Sequence, residues 1–302
     1  MTSIVIAAHN EAAVIGRCLD AVLADAVPGE FDVTVVANGC TDGTARVAAA
    51  RPGVRVLDLP SAGKVPALNA GDAVAVGYPR VYLDADIVIP VVGVRALRDA
   101  LAFPSATHAA HVLAVTARRE IDVSRSPRLV RSYFAINSRL PVFHNALFGR
   151  GVIALSAEGR GRFDRFPDVV ADDLFLDSLF TAAEKREVGS VSARVAAPQR
   201  TRDLLRRLVR VRRGNASMRT ALAASGGIRD TGRRRARTSW LRDVALRDPS
   251  LIPAAACYAA ITFAASVLTR LPQRPGAEWG RDDSSRQDDH QTGRLGASDG
   301  RR

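Results

Sequence analysis

Over residues 1–90, short β-rich apolar runs alternate with helix-patterned segments, and this alternation leaves the chain very few architectures. Ser3 to Ala8 and Asp32 to Ala37 are runs of strand length; Val54 to Leu59 and Val81 to Leu83 are weaker ones. Between the first two, Val14, Ile15, Cys18, Leu19, Val22 and Leu23 share one helical face, with Arg17, Asp20 and Asp25 off it. Pro28-Gly29 stops that helix. Apolar strands separated by helices fit a parallel sheet covered on both faces. In such sheets ligands sit beyond the carboxyl ends of the strands. Three polar clusters fall at those ends: His9-Asn10-Glu11, Asn38-Gly39-Cys40-Thr41-Asp42 and Asp84-Ala85-Asp86.

Asp84 and Asp86 are the most telling of these residues. Carboxylates beside an apolar run need a partner or a cation. Side chains alternate along extended chain, so two acids two apart point to one side. Such a pair suits Mg²⁺ or Mn²⁺, hard cations that take few protein ligands and complete their shell with substrate phosphates. An N-cap or an ion pair near a turn is the alternative.

The 302 residues carry a net charge of +12, and lysine occurs only at Lys64 and Lys185, so the excess is arginine. Arginine clusters suit phosphates, anionic lipid or nucleic acid. Nucleic acid is disfavoured, because the arginines lie without interleaved aromatics and aromatic content is only 5%. Cys18, Cys40 and Cys257 are too scattered for a metal site and read as free thiols of a reducing compartment. The opening MTSIVIAAHNEA lacks the basic start and cleavage site of a signal peptide.

Farther along, Asp172 and Asp173 stand among Val169, Val170, Leu174 and Phe175, neighbours able to raise a carboxylate pKa. Acids also favour the first turn of a helix, so a cap is the plainer role. Residues 199–213, QRTRDLLRRLVRVRR, form a basic amphipathic segment. Residues 216–250 read as a basic connector, Gly/Arg-rich over 226–237, and 273–302 has the composition of a disordered tail. Between them, LIPAAACYAAITFAASVLT, 251–269, holds nineteen uncharged residues, as a helix about 28 Å long and close to a bilayer's hydrocarbon thickness. Arg242, Arg247, Arg270 and Arg274 flank it at both ends, so charge does not orient it. A membrane span, an in-plane anchor and a buried core helix all remain open for 251–271.

In order along the chain, IVIAAHNEAAVIGRCLDAVL, VTVVANGCTDGTA, KVPALNAG, VYLDADIVI and VADDLFL resemble five motifs of the family 2 glycosyltransferases. The resemblance covers residues 1–215 and implies the GT-A fold. That is a Rossmann-like, mostly parallel α/β sheet flanked by helices, here with a C-terminal helical, membrane-associated extension. It implies a nucleotide-sugar-binding half over 1–90 and an acceptor half over 91–215. Asp84 and Asp86 would then bridge Mg²⁺ or Mn²⁺ to the diphosphate of a UDP-, GDP- or TDP-sugar. His9, in place of the family's tyrosine, would stack on the base; Asn10, Glu11 and Asn38 would line the nucleoside pocket, and Lys64 would approach the donor. Asn69 either contacts the donor or, with Gly71, fixes a local turn. Asp173 aligns with the family's inverting base and Asp172 with the acid before it, while Gly149 and Gly151 match a glycine-rich acceptor loop. Arg210 and Arg213 would contact pyrophosphate or, equally, anionic lipid. Ala37 replaces a family aspartate that often contacts the base, so base identity is open. No tryptophan follows Gln199–Arg202, so transfer of one sugar fits better than processive synthesis. The function implied is inverting transfer to a hydroxyl of a glycan or lipid-linked acceptor at the cytoplasmic face of a membrane, with no nucleic-acid partner. A catalytically silent nucleotide-binding or membrane scaffold and a nucleotidyltransferase are the alternatives.

Overall fold

The computed structural model describes residues 1–102, 111–168, 171–224 and 239–271. The first half alternates as its periodicity demands: β1 (Thr2–Ala8), α1 (Ile15–Leu23), β2 (Phe31–Asn38), α2 (Thr44–Ala49), β3 (Val54–Leu59), α3 (Lys64–Val74), β4 (Arg80–Leu83) and α4 (Val91–Ala102). The second half runs β5 (Ala114–Asp122), α5 (Arg128–Asn137), β6 (Val152–Leu155), α6 (Ala157–Arg160), α7 (Asp172–Ser178), β7 (Lys185–Ala196), α8 (Thr201–Ala224) and α9 (Ile252–Arg270).

Seven strands form one sheet in the order β3-β2-β1-β4-β6-β5-β7. β1 to β4 are mutually parallel where they pair, β6 runs antiparallel to β4 and β5, and β5 and β7 are parallel. The chain builds outward from β1 to β3, then returns to lay β4 on the other side of β1. That reversal leaves a crevice at the carboxyl ends of β1 and β4, where an α/β sheet receives its ligand.

Period-two alternation sends each strand into two cores. Ile4, Ile6 and Ala8 face Ile15, Cys18, Leu19 and Val22 of α1 and Val94 and Leu97 of α4. Val5, between them, faces Val65 and Leu68 of α3 and, across the sheet's second face, Leu174 and Phe175 of α7. Fully burying each such aliphatic side chain contributes about 1.5–3 kcal/mol, so the apolar runs fix which face each helix covers. α3 sits unusually close to the sheet: a Cβ on Gly71 would stand 2.5 Å from Val5 Cγ1.

A third core joins α5, the start of α8 and α9, through Val130, Tyr133, Phe134, Leu204, Tyr258 and Ile261. Tyr133 and Tyr258 stack with ring centroids 5.0 Å apart. α8 runs unbroken from Thr201 through residue 215 to Ala224. Of the expected connector, 216–224 is helical and Trp240–Ala245 forms a short π-helix. Residues 226–237, the tail from Gln273 with Arg274, and Val169 and Val170 lie outside the described residues.

Candidate functional site

A cleft of about 260 Å³ opens at the crevice between β1 and β4. Asp84 and Asp86 enter it from the end of β4, Lys64 from α3, Gly149 and Gly151 from the loop before β6, Asp172 and Asp173 from α7, and Arg207 and Arg210 from α8. Five separate stretches of chain thus meet over one small volume.

The acidic pair reaches the cleft by a route different from the one its spacing suggests. β4 ends at Leu83, and Asp84 and Asp86 lie in a turn closed by Ile87 N–H donating to Asp84 O at 3.1 Å. Ala85 and Ile87 are buried in the core, which leaves the two carboxylates to the cleft. Asp84 N–H donates to Gly151 O at 2.8 Å, so the turn is bolted to the loop before β6. Gly151 has φ +74°, and a Cβ there would come 2.6 Å from Ile87 Cδ1 and 3.4 Å from Asp84 Oδ2. Only glycine permits that approach. Beneath the turn, burial and then the charges of Asp86 and Asp84 push the Cys18 thiol up to about 12, so it stays neutral.

Lys64 ties the two acidic groups together. Its Nζ lies 2.8 Å from Asp84 Oδ1 and 3.0 Å from Asp172 Oδ2. Burial opposes the charge, but Asp172 and Asp84 outweigh it and hold the ammonium well above its usual pKa. Asp172 and Asp173 point differently: Asp173 Oδ2 accepts from Gly149 N–H at 2.7 Å and Oδ1 from Leu174 N–H at 2.7 Å. Burial, then the neighbouring charge of Asp172, raises the Asp173 carboxyl to about 6, against the opposing pull of Lys64 and the Gly149 N–H. A carboxylate with its pKa lifted toward neutrality is suited to taking a proton.

The other expected donor residues stand outside this cleft. Asn38 is buried, its Nδ2 donating to Ala8 O at 2.8 Å and its Oδ1 accepting from Gly63 N–H at 2.9 Å. It holds the end of β2 to β1 and to the start of α3, and so places Lys64. His9 Nδ1 sits 2.5 Å from Asn38 O. Asn10, at φ +53°, accepts from Thr41 N–H at 2.7 Å, and Glu11 N–H donates to Thr44 Oγ1 at 2.7 Å. These contacts knit the first two strand-end clusters into one ledge beside the cleft.

Two of the expected donor residues have backbone partners away from the cleft. Asn69 spends its amide on the backbone of Phe166, 3.1 Å to the carbonyl and 2.9 Å from the N–H, and fixes a loop rather than facing the cleft. Arg213 Nη2 donates to Leu268 O and Leu271 O at 3.4 and 3.0 Å, closing the end of α9. At about 100° per residue, Arg213 lies about 120° around α8 from Arg207. Arg207, not singled out among the basic residues of 199–213, lines the cleft beside Arg210; its spacing of three from Arg210 was the available signal.

Residues 3–146 match the sequence profile described as Glycosyl transferase family 2. No curated protein matches the chain. In three dimensions it is similar to a mannosyltransferase from Pyrobaculum calidifontis solved with GDP-Man and Mn²⁺, at 23% identity and TM-score 0.57, covering 88% of this chain and 77% of that one. It is also similar to glucosyl-3-phosphoglycerate synthase from Mycobacterium tuberculosis solved with Mg²⁺ and UDP, at 22% identity and TM-score 0.52, covering 76% and 81%. These likenesses show a shared GT-A fold, and over residues 3–146 the chain is similar to glycosyl transferase family 2.

Proposed function

We propose that the protein moves one sugar, with inversion, from a nucleotide-sugar to a hydroxyl acceptor, Asp84 and Asp86 serving the donor diphosphate and Asp173 the acceptor. The observation that carries this is the meeting of both acidic pairs, Asp84–Asp86 and Asp172–Asp173, in one cleft of about 260 Å³.

Asp173 would take the hydroxyl proton as the acceptor oxygen attacks the anomeric carbon, and the Gly149 N–H fixes the direction of its Oδ2. Lys64 would turn to the donor's diphosphate as charge builds there. Asp84 and Asp86 fit Mg²⁺ or Mn²⁺: both offer hard oxygens to the cleft. Among the described residues no group of three or more His, Cys, Asp or Glu is placed to hold a metal, so the two aspartates would hold the ion together with donor phosphate oxygens and water. Bound there, the cation neutralises charge on the leaving diphosphate. The solved relatives carry GDP-Man with Mn²⁺ and UDP with Mg²⁺, which supports a nucleotide-sugar donor and a divalent ion.

Thermal shifts with UDP, GDP, TDP and their sugars, with and without Mn²⁺, test the donor side. One nucleotide should stabilise the protein only with metal, and Asp86→Ala should abolish the effect. Absence of any metal-dependent stabilisation would remove the donor assignment.

For location, α9 favours a membrane surface at the cytoplasmic face, where nucleotide-sugars are found. The most apolar 18-residue stretch within Pro249–Arg270 has mean hydropathy 1.9, yet Ala255, Tyr258, Ile261 and Ala265 pack inward while Phe263 is 72% exposed. A helix packed on one side and apolar on the other suits lying in the interface better than crossing it. Flotation with anionic against neutral vesicles tests this; loss of binding in Phe263→Glu supports it, and equal recovery without vesicles opposes it.

A further inference from the structure

Two arginines, Arg207 in the cleft and Arg119 behind Gly149, have no carboxylate partner among the described residues. Arg207 lines the cleft and forms no ion pair or hydrogen bond among the described residues. Arg119, on β5, stands behind Gly149, with Nη1 3.7 Å from where a Gly149 Cβ would lie. Its contacts are neutral: Asn137 Oδ1 at 2.9 Å, and the Phe143 ring with its centroid 4.3 Å from Cζ. By contrast Arg150, nearby, has Glu187 at 2.6 Å, and Lys64 across the cleft has two carboxylates. Burial, then repulsion from Arg150 and Arg207, brings the Arg119 guanidinium down to about 10, as expected where cations crowd without an anion.

Gly149 joins this cluster to the chemistry, since its N–H holds Asp173. The anion these arginines await therefore sits with the acceptor rather than with the diphosphate at Asp84 and Asp86. Guanidinium forks match phosphate oxygens in pairs, and Arg207 in the cleft with Arg119 behind Gly149 makes a local excess of positive charge that suits a group bearing more than one negative charge.

We infer that the acceptor carries a phosphate group, received by Arg207 with Arg119 as the positioning residue behind Gly149. This rests on the proposed donor and base assignment. Phosphate on a soluble molecule and phosphate on a lipid share the chemistry, and the probes below separate them.

The test is isothermal titration of protein already saturated with its nucleoside diphosphate and Mn²⁺, so that the donor's phosphate subsite is filled. Probes are glycerol 3-phosphate and detergent-dispersed farnesyl phosphate, with glycerol and farnesol as uncharged controls. A phosphate probe should bind, its control should not, and Arg207→Gln should weaken it at least about tenfold. Arg119→Gln should do the same and Arg119→Lys should recover part of it, with far-ultraviolet circular dichroism confirming the fold of each variant. Tighter binding of farnesyl phosphate assigns a lipid source and tighter binding of glycerol 3-phosphate a soluble one. The inference is overturned if neither phosphate probe binds, if the controls bind equally, or if the variants weaken the nucleotide instead. Failure of the nucleotide itself to bind is a distinct result: it removes the donor assignment and this inference with it.

Discussion

Lys64 Nζ stands 2.8 Å from Asp84 Oδ1, so an ammonium already answers half of the acidic pair proposed to hold a divalent ion. A metal alone must compete with that cation, whereas metal with a diphosphate brings a new anion for the lysine to turn to. Lys64→Met should therefore bind Mn²⁺ without nucleotide about tenfold more tightly, and nucleoside diphosphate less tightly. Mn²⁺ electron paramagnetic resonance titrations, with and without nucleotide, measure both. Unchanged affinity for the metal alone would show that Lys64 does not compete for the site.

Asp173 sets a pH dependence. With its carboxyl raised to about 6, kcat/KM should climb as pH rises through 6 and the base ionises. Asp173→Asn should lower kcat by about 10²–10⁴ while leaving metal-dependent nucleotide binding intact. Normal transfer by that variant would refute the base assignment.

The same group affects stability, with the opposite sense from an ion-paired aspartate. Its folded pKa lies above the ordinary 3.8, so the folded state binds more protons between pH 4 and 6, and its contribution is lost as pH rises through that window. Asp173→Asn should therefore raise Tm relative to wild type at pH 7–8, and the gain should shrink as pH falls toward 4. Thermal melts across pH measure the difference.

Asp72 holds a buried network that meets the cleft wall through Tyr82. It meets Arg80 Nη1 at 2.6 Å, Arg160 Nε at 2.6 Å and Tyr82 Oη at 3.0 Å. Its removal leaves two guanidiniums without their anion, and Asp72→Ala should cost about 3–5 kcal/mol in urea unfolding. Because Asp72 lies on α3, which presents Lys64, nucleotide affinity should fall as well.

Gly151→Ala separates strain from crowding. Gly53 has a similar positive φ, +80°, but no atom within 4 Å of a Cβ, whereas Gly151 meets Ile87 under the acidic turn. Gly53→Ala should lose only about 1 kcal/mol from strained backbone. Gly151→Ala should lose more and also abolish metal-dependent nucleotide binding, as thermal shifts would show.

Local patterning was enough to read much of this protein from its residues alone. The runs at Ser3 to Ala8 and Asp32 to Ala37 became β1 and β2 nearly to the residue, because strand burial and helical faces repeat every two and 3.6 residues in the string itself. Loops beyond strand ends are local too, so Asp84 and Asp86 were legible as site candidates, while Lys64 became one only through the family resemblance. Which partners those residues meet was decided only by the tertiary structure. Asn38 turned inward and Asn69 toward Phe166, because unanswered backbone groups stood within their reach. Arg207 rather than Arg213 reached the cleft because packing against α9 set the rotation of α8, and α9 drew Arg213 to its own carbonyls. Contacts between residues far apart in the chain leave no period in the sequence, so only folding could choose among them.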